Sequence, residues 1–297
     1  MSLIGELICY HVSYYLLSKN RLGQYQDLSS LSQNVDEYDH WRDDILRKSL
    51  NDLPHIPLNG KTVVDFGCGG GELSFLLKAS GAEKVYGVDL NSETLRRARE
   101  MNSNGSSVEF LLGTTSSIPL PRNSIDLIFC ISVLEHVMEV DSILREWHRI
   151  LRRKGQVLIH WSAWHSPDAS HLSVAIPIPY AQCLFSERTL ALTVARITLS
   201  QVYKPKFWDY NPQTGLRKEV HLRDQYTPGF LNKMSIRDFD KKLTMTGLFE
   251  KTHYQCHPPT RFPYIRPLLK IPFCREHLSS FSTYILTKND ADANYES

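Results

Sequence analysis

Between Lys61 and Trp161 short apolar runs alternate with stretches of helical spacing. Thr62–Phe66 is a β-branched run, and Leu73, Leu76 and Leu77 then share one face of a helix over Glu72–Ser80. Lys84–Leu90 predicts a second strand. A helix through Met101 follows, with Asn91 or Ser92 as its cap. Val108–Leu112 predicts a third strand. Ile125–Ser132 predicts a fourth, almost wholly apolar, as in a strand buried on both faces. A helix over Val140–Leu151 with Gly155 as its stop precedes a fifth strand, Gln156–Trp161. Such alternation predicts a parallel sheet with right-handed crossovers, an α/β doubly wound Rossmann-like fold.

Outside this stretch the pattern is less regular. Leu3–Lys19 predicts an apolar helix, and Asp36–Leu50 a second one with Tyr38, Trp41, Ile45 and Leu46 on one face, ended by Pro54 and Pro57. After Ser162 the βα rhythm stops, and a helix over Ser186–Tyr203 is the one clear element before Leu231. The rhythm then resumes with a helix capped by Ser235 and ended by Gly247, and with strands at Phe249–Gln255 and Phe281–Thr287. The expected division is an N-terminal helical cap (1–58), a core (59–162 and 232–290), a lid insertion (163–231) and a disordered tail (291–297).

Composition narrows the class. With 42% hydrophobic and 22% charged residues the chain is that of an ordinary globular enzyme. Its 34 basic and 32 acidic residues leave a net charge of +2, which argues against a general nucleic-acid binder. Six cysteines without a CxxC pair are expected to be reduced thiols of a cytoplasmic protein, not a disulfide frame or a zinc site. The apolar run Leu3–Leu17 is broken by Glu6 and His11 and falls short of the ~20 residues of a membrane span. Met1-Ser2 offers no basic region for a signal peptide. The expectation is a cytoplasmic protein without stable membrane insertion, with a homodimer left open.

The most informative stretch is Val63-Val64-Asp65-Phe66-Gly67-Cys68-Gly69-Gly70-Gly71. Glycine there permits positive φ and removes the Cβ that would hold a ligand away. A strand, a glycine turn and a helix form a nucleotide site in a doubly wound sheet. The dehydrogenase fingerprint GxGxxG fails in either register, because its third glycine falls on Glu72 or Ser74. The pattern that fits is Asp-x-Gly-x-Gly-x-Gly from Asp65 to Gly71. A carboxylate at the head of the turn disfavours a pyrophosphate and favours a ligand bearing an ammonium group. Asp89, ending the second strand, is placed to accept hydrogen bonds from ribose hydroxyls.

These residues resemble the class I S-adenosylmethionine (SAM)-dependent methyltransferases, specifically the ubiquinone/menaquinone-biosynthesis-type methyltransferase domain superfamily. Four matches carry the resemblance: residues 63–71, Val-Tyr-Gly-Val-Asp at 85–89, the run 118–128 leading into Leu-Glu-His-Val at 134–137, and 149–159. It implies a seven-stranded sheet with the last strand antiparallel, and SAM as cofactor with S-adenosylhomocysteine as product. It implies cofactor contacts from Asp65, Gly67, Cys68, Gly69, Gly71, Asp89, Leu90, Thr114, Thr115 and Ser132. One departure stands out, because the family's adenine-binding acid after strand three is here Thr114.

The acceptor side is less marked. His136, at the end of the fourth-strand motif, is a candidate base or a loop-fixing residue. His160, His165, Asp168 and His171 cluster where the insertion begins. Their spacing matches no i, i+4 metal pair and no cysteine joins them, so no metal is expected. His165 is the preferred general base and His171 the second. His160, Trp164, Asp168, Tyr180 and Trp208 are expected to contact substrate, the aromatic ones as part of an apolar lid or of the insertion's own core. Ile131-Ser132-Val133-Leu134 stands where an Asn/Asp-Pro-Pro-Tyr motif would mark base or amide N-methylation. The expected activity is O-methylation of a small-molecule acceptor. Carbon or nitrogen methylation in a natural-product or glycan pathway is the runner-up, and a non-catalytic SAM-binding regulator or scaffold is the alternative of another class.

Overall fold

The computed structural model describes residues 3–19, 53–102, 108–167, 169–173, 175–203, 231–259 and 262–289. The expected helix Asp36–Leu50 and the expected substrate contacts Asp168 and Trp208 lie outside these residues. The chain divides into two compact units. One comprises Met1–Trp41 and Trp164–Leu231, the other Arg42–Ala163 and Asn232–Ser297.

The second unit is built on a seven-stranded sheet: β1 (Thr62–Phe66), β2 (Lys84–Asp89), β3 (Val108–Leu112), β4 (Ile125–Ile131), β5 (Leu151–Trp161), β6 (Phe249–His257) and β7 (Phe281–Lys288). Their order is β3-β2-β1-β4-β5-β7-β6. The first five strands are parallel, and β7 runs antiparallel to both β5 and β6. The order reverses between β1 and β4, where Asp65 is in register with Gly87 on one side and Phe129 on the other. In a doubly wound sheet this is where a crevice opens beyond the carboxyl ends of the strands.

Alternation along the strands explains the continuous apolar runs. Val63, Leu127 and Leu158 belong to one core, with Leu73, Leu77, Leu95 and Ala98. Their neighbours Val64, Ile128 and Ile159 belong to the other, with Ile143, Leu144, Trp147, Phe239 and Leu243. The sheet is therefore covered on both faces, so both sets of side chains must be apolar. Helices α2 (Glu72–Ala79) and α3 (Ser92–Met101) cover the first face. Helix α4 (Val140–Ile150) covers the other. Trp147 is fully buried, its ring edge-on to Phe66 at 5.3 Å.

Most predicted ends match, for physical reasons. Asn91 caps α3, its Oδ1 accepting from the amides of Glu93 and Thr94. Ser235 and Asp238 form a reciprocal capping box at the helix Ile236–Thr246, and Gly247 closes it at φ 62°. The end of α4 differs from expectation. The helix stops at Ile150, and Leu151 is already extended and paired with Ile125. Gly155 is therefore not the helix stop but part of an irregularity inside β5. Lys154 beside it has φ 58°, and a Cβ on Gly155 would lie 2.9 Å from the Arg152 carbonyl oxygen.

In the first unit, α1 (Leu3–Ser18) packs on the helix Glu187–Thr198, which is shorter than the expected Ser186–Tyr203 and capped by Ser186. Cys9 is buried with Leu190, Val194 and Ile197, and the Arg196 guanidinium lies over the Tyr10 ring at 4.1 Å. An interrupted apolar helix here serves helix–helix packing. No described helix is long and apolar enough to cross a membrane.

Candidate functional site

The turn after β1 is forced into left-handed backbone. Gly67, Gly69 and Gly71 have φ of 75°, 53° and 90°. Space excludes side chains as well: a Cβ on Gly67 would lie 2.4 Å from Val133 Cγ2, and one on Gly71 2.6 Å from Phe110 Cζ. The amides of Gly67 and Cys68 both donate to the Val88 carbonyl, at 2.7 and 3.1 Å. The turn is thus folded back on the end of β2. Asp89 completes that fastening, Oδ2 accepting from the Gly69 amide and Oδ1 from the Asn91 amide, each at 2.9 Å. A carboxylate has about four acceptor positions, so both oxygens keep capacity for ligand hydroxyls.

A cavity of about 280 Å³ opens beside this turn, lined by Gly67, Asp89, Thr115, Ser132 and His136 among others. Leu90 and Thr114, both expected from the sequence, also line it. Phe66, Val88, Val133 and Val137 supply apolar walls that were not anticipated. Phe66, Val88 and Val137 sit inside the motif stretches themselves, and Val133 immediately precedes one. The result is an apolar slot with a carboxylate at its rim.

Asp65, Cys68, Gly69 and Gly71 are not among the residues that line this cavity. Asp65 is 2% exposed, and its Oδ2 accepts from Ser74 Oγ at 2.6 Å. Burial, reinforced by Asp65 and Asp89, pushes the Cys68 thiol well up, so it stays protonated.

Thr114 behaves as a turn residue. Its Oγ1 accepts from the amides of Ser117 and Ser116 at 3.0 and 3.3 Å, and its own amide donates to the Ser117 carbonyl. The hydroxyl is thus spent on closing the loop after β3. That loop is held from below by Glu146 and Arg149 on α4. Glu146 Oε1 accepts from the Ile118 amide at 2.6 Å, and Arg149 Nη2 donates to the carbonyls of Ile118 and Leu120. The two side chains also form a bidentate ion pair at 2.7 Å on each arm.

Beyond β4, Ser132 takes a left-handed φ of 55°, with its amide donating to the His160 carbonyl at 2.7 Å. A non-glycine residue held there at a cavity edge marks a constrained turn. It delivers Val133 and a single 3-10 turn, Leu134–His136, to the cavity wall. Asn232 fixes that turn. Its Nδ2 donates to the carbonyls of Leu134 and Val137 at 2.7 and 2.9 Å, and its amide to that of Glu135 at 2.9 Å. Glu135 is buried, and burial pushes its carboxyl up to about 8.

The histidines near the end of β5 belong to different compact units. His160 stays in the sheet, its Nδ1 2.9 Å from Thr283 Oγ1 and its ring stacked on Phe281. His257 Nε2 meets the same hydroxyl at 2.8 Å. Burial first, then His257, lowers the His160 pKa to about 4. His165, His171, Trp164 and Tyr180 belong to the other unit. There Gln182 Nε2 donates to the carbonyls of Trp164 and Ser166, and the Tyr180 amide to that of Pro167. His171 and Tyr180 both have left-handed backbone.

The fold and this crevice define a doubly wound α/β protein with a cavity at its switch point. Residues 64–159 match the family model of the methyltransferase domain. The ubiquinone biosynthesis O-methyltransferase of Pseudomonas paraeruginosa is 36% identical over 124 residues, covering 38% of this chain and 53% of that enzyme. A 37.1 kDa uncharacterized protein in transposon TN4556 of Streptomyces fradiae is 36% identical over 125 residues, covering 41% of this chain and 36% of that one. The matched part thus spans about half or less of these relatives. A SAM-dependent methyltransferase from Mesorhizobium loti shares the fold, with a TM-score of 0.51, 18% identity, and 81% of this chain and 96% of that chain covered. Residues 64–159 are thus similar to a methyltransferase domain, and the chain shares the fold of a SAM-dependent methyltransferase.

Proposed function

We propose that the protein transfers the SAM methyl group to a hydroxyl oxygen of a small-molecule acceptor. The carrying observation is the cavity that joins the glycine turn and Asp89 to His136 on one rim. When bound, SAM supplies a methyl group on an electron-poor sulfur. The chain's own part is to align that group, exclude water and manage the acceptor's proton. Asp89 and the Gly67–Gly71 turn hold the nucleoside end, and the apolar walls keep the slot dry. His136 is the histidine that lines the cavity, and we assign it the base; His165 and His171 are the candidates from the other unit. The Pseudomonas relative, an O-methyltransferase, favours oxygen as the acceptor atom.

Titration calorimetry with SAM and S-adenosylhomocysteine tests the donor site, where micromolar binding is expected and its absence would overturn the reading. Incubation of a metabolite extract with methyl-labelled SAM, read by mass spectrometry, tests transfer. A labelled product stable to mild base is expected for an ether, whereas a labelled amine or carbon centre would replace oxygen as acceptor.

A further inference from the structure

The connection between β6 and β7 is chemically unlike the rest of the core unit. From Pro258 to Arg275 it contains four basic residues, Arg261, Arg266, Lys270 and Arg275, and no Asp or Glu. Five prolines, Pro258, Pro259, Pro263, Pro267 and Pro272, punctuate it. It forms a 3-10 run, Pro263–Lys270, followed by a short helix, Pro272–Leu278.

The segment is firmly rooted. Leu269 is buried in the main core. The Glu276 carboxylate accepts from the amides of Ile236 and Arg237 at 3.1 and 3.2 Å. The Arg275 guanidinium lies over the Tyr254 ring at 5.2 Å. Above these roots the apolar side chains point outward. Tyr264 and Phe273 are each 73% exposed, and Phe262, Leu268 and Ile271 are exposed as well. Arg266 and Lys270 are exposed between them.

Single exposed apolar residues are normal on a soluble surface, but five within twelve residues, interleaved with cations, indicate a contact surface. The chemistry selects its partner. Aromatic rings settle at the headgroup level of a bilayer and aliphatic chains at the acyl boundary, while arginine and lysine meet lipid phosphates. A partner that is anionic everywhere explains why acids are absent from the whole run. The prolines fix backbone φ beforehand, so little order remains to be imposed on docking. The segment also leaves the sheet at a meaningful edge. Both β5 and β6 run antiparallel to β7, so β6 ends on the side where the cavity opens.

We propose that Phe262–Phe273 is a peripheral docking surface for an anionic phospholipid bilayer. The experiment is flotation of the full chain with vesicles of phosphatidylcholine alone and of phosphatidylcholine mixed with phosphatidylglycerol. The wild type is expected to partition onto the mixed vesicles and to be largely released at about 0.5 M salt. Arg266→Gln with Lys270→Gln should weaken partition by roughly fivefold for each charge removed. Tyr264→Ser with Phe273→Ser should weaken it by at least roughly tenfold. These side chains are exposed, so both variants should keep the wild-type circular dichroism melt and SAM binding. Failure of the folded wild type to float with mixed vesicles overturns the proposal. So does unchanged flotation of both variants, or a dimer in sedimentation that Phe273→Ser dissolves while no vesicle is bound.

Discussion

The Gly69 amide donates to Asp89 Oδ2 at 2.9 Å, tying the glycine turn of β1 to the end of β2. The residue proposed to read a ribose thus also shapes the loop beside it. Hydrogen bonds to a charged acceptor contribute about 1.5–3 kcal/mol. Asp89→Ala should therefore weaken SAM binding by more than roughly tenfold, through loss of ligand contacts and of the turn's fastening. Asp89→Asn, which keeps one acceptor oxygen, should lie between the two. Calorimetry on the three proteins checks this order, and equal affinities would remove Asp89 from the site.

Gly67 faces two constraints, left-handed φ and the Val133 side chain. Gly67→Ala should lower the melting temperature and abolish measurable SAM binding. Adding Val133→Ala relieves the steric part alone, so the double variant should regain stability but not full affinity. Thermal melts with and without SAM separate the two contributions.

Loss of a base leaves binding and removes turnover. His136→Ala should bind SAM within about threefold of wild type while transfer falls by the roughly 10²–10⁴-fold typical of a missing acid–base group. The same measurement on His165→Ala and His171→Ala locates the base. Should His136→Ala turn over normally while His165→Ala does not, the base belongs to the other unit.

Arg149 neutralises Glu146 and carries the loop after β3. Arg149→Ala leaves that carboxylate largely buried beside the Ile118 amide without its ion-pair partner. Breaking such a pair costs about 3–5 kcal/mol when fully buried, and somewhat less here because Arg149 is partly exposed. A lower denaturation midpoint is expected, with weaker binding of adenosine by calorimetry. Unchanged adenosine affinity would confine the pair to stability.

His160 is held neutral, with a pKa lowered to about 4 from 6.5. The unfolded chain protonates first as pH falls, so this group contributes full stability above pH 6.5 and loses it progressively down to about pH 4. The loss is at most about 3 kcal/mol. His160→Gln should flatten that part of the stability–pH curve, measured by urea midpoints between pH 7 and 4. His257, which shares Thr283, should contribute to the remaining slope.

Local sequence determined much of this protein. The sheet strands, the caps at Asn91 and Ser235 and the glycine turn follow from side-chain period, short-range hydrogen bonding and backbone φ, all of which act over a few residues. The same locality misled at Gly155, because a glycine after a helix looks alike whether it ends the helix or relieves crowding within a strand. Tertiary structure decided what depends on distant pairs. Asn232 reaches the turn at Leu134–Val137 across about a hundred residues, and Glu146 reaches Ile118 from the next helix. It also gave the His160 ring a hydroxyl partner on β7, at Thr283. Such choices rest on which partners a fold brings within hydrogen-bond distance, which no spacing along the chain records.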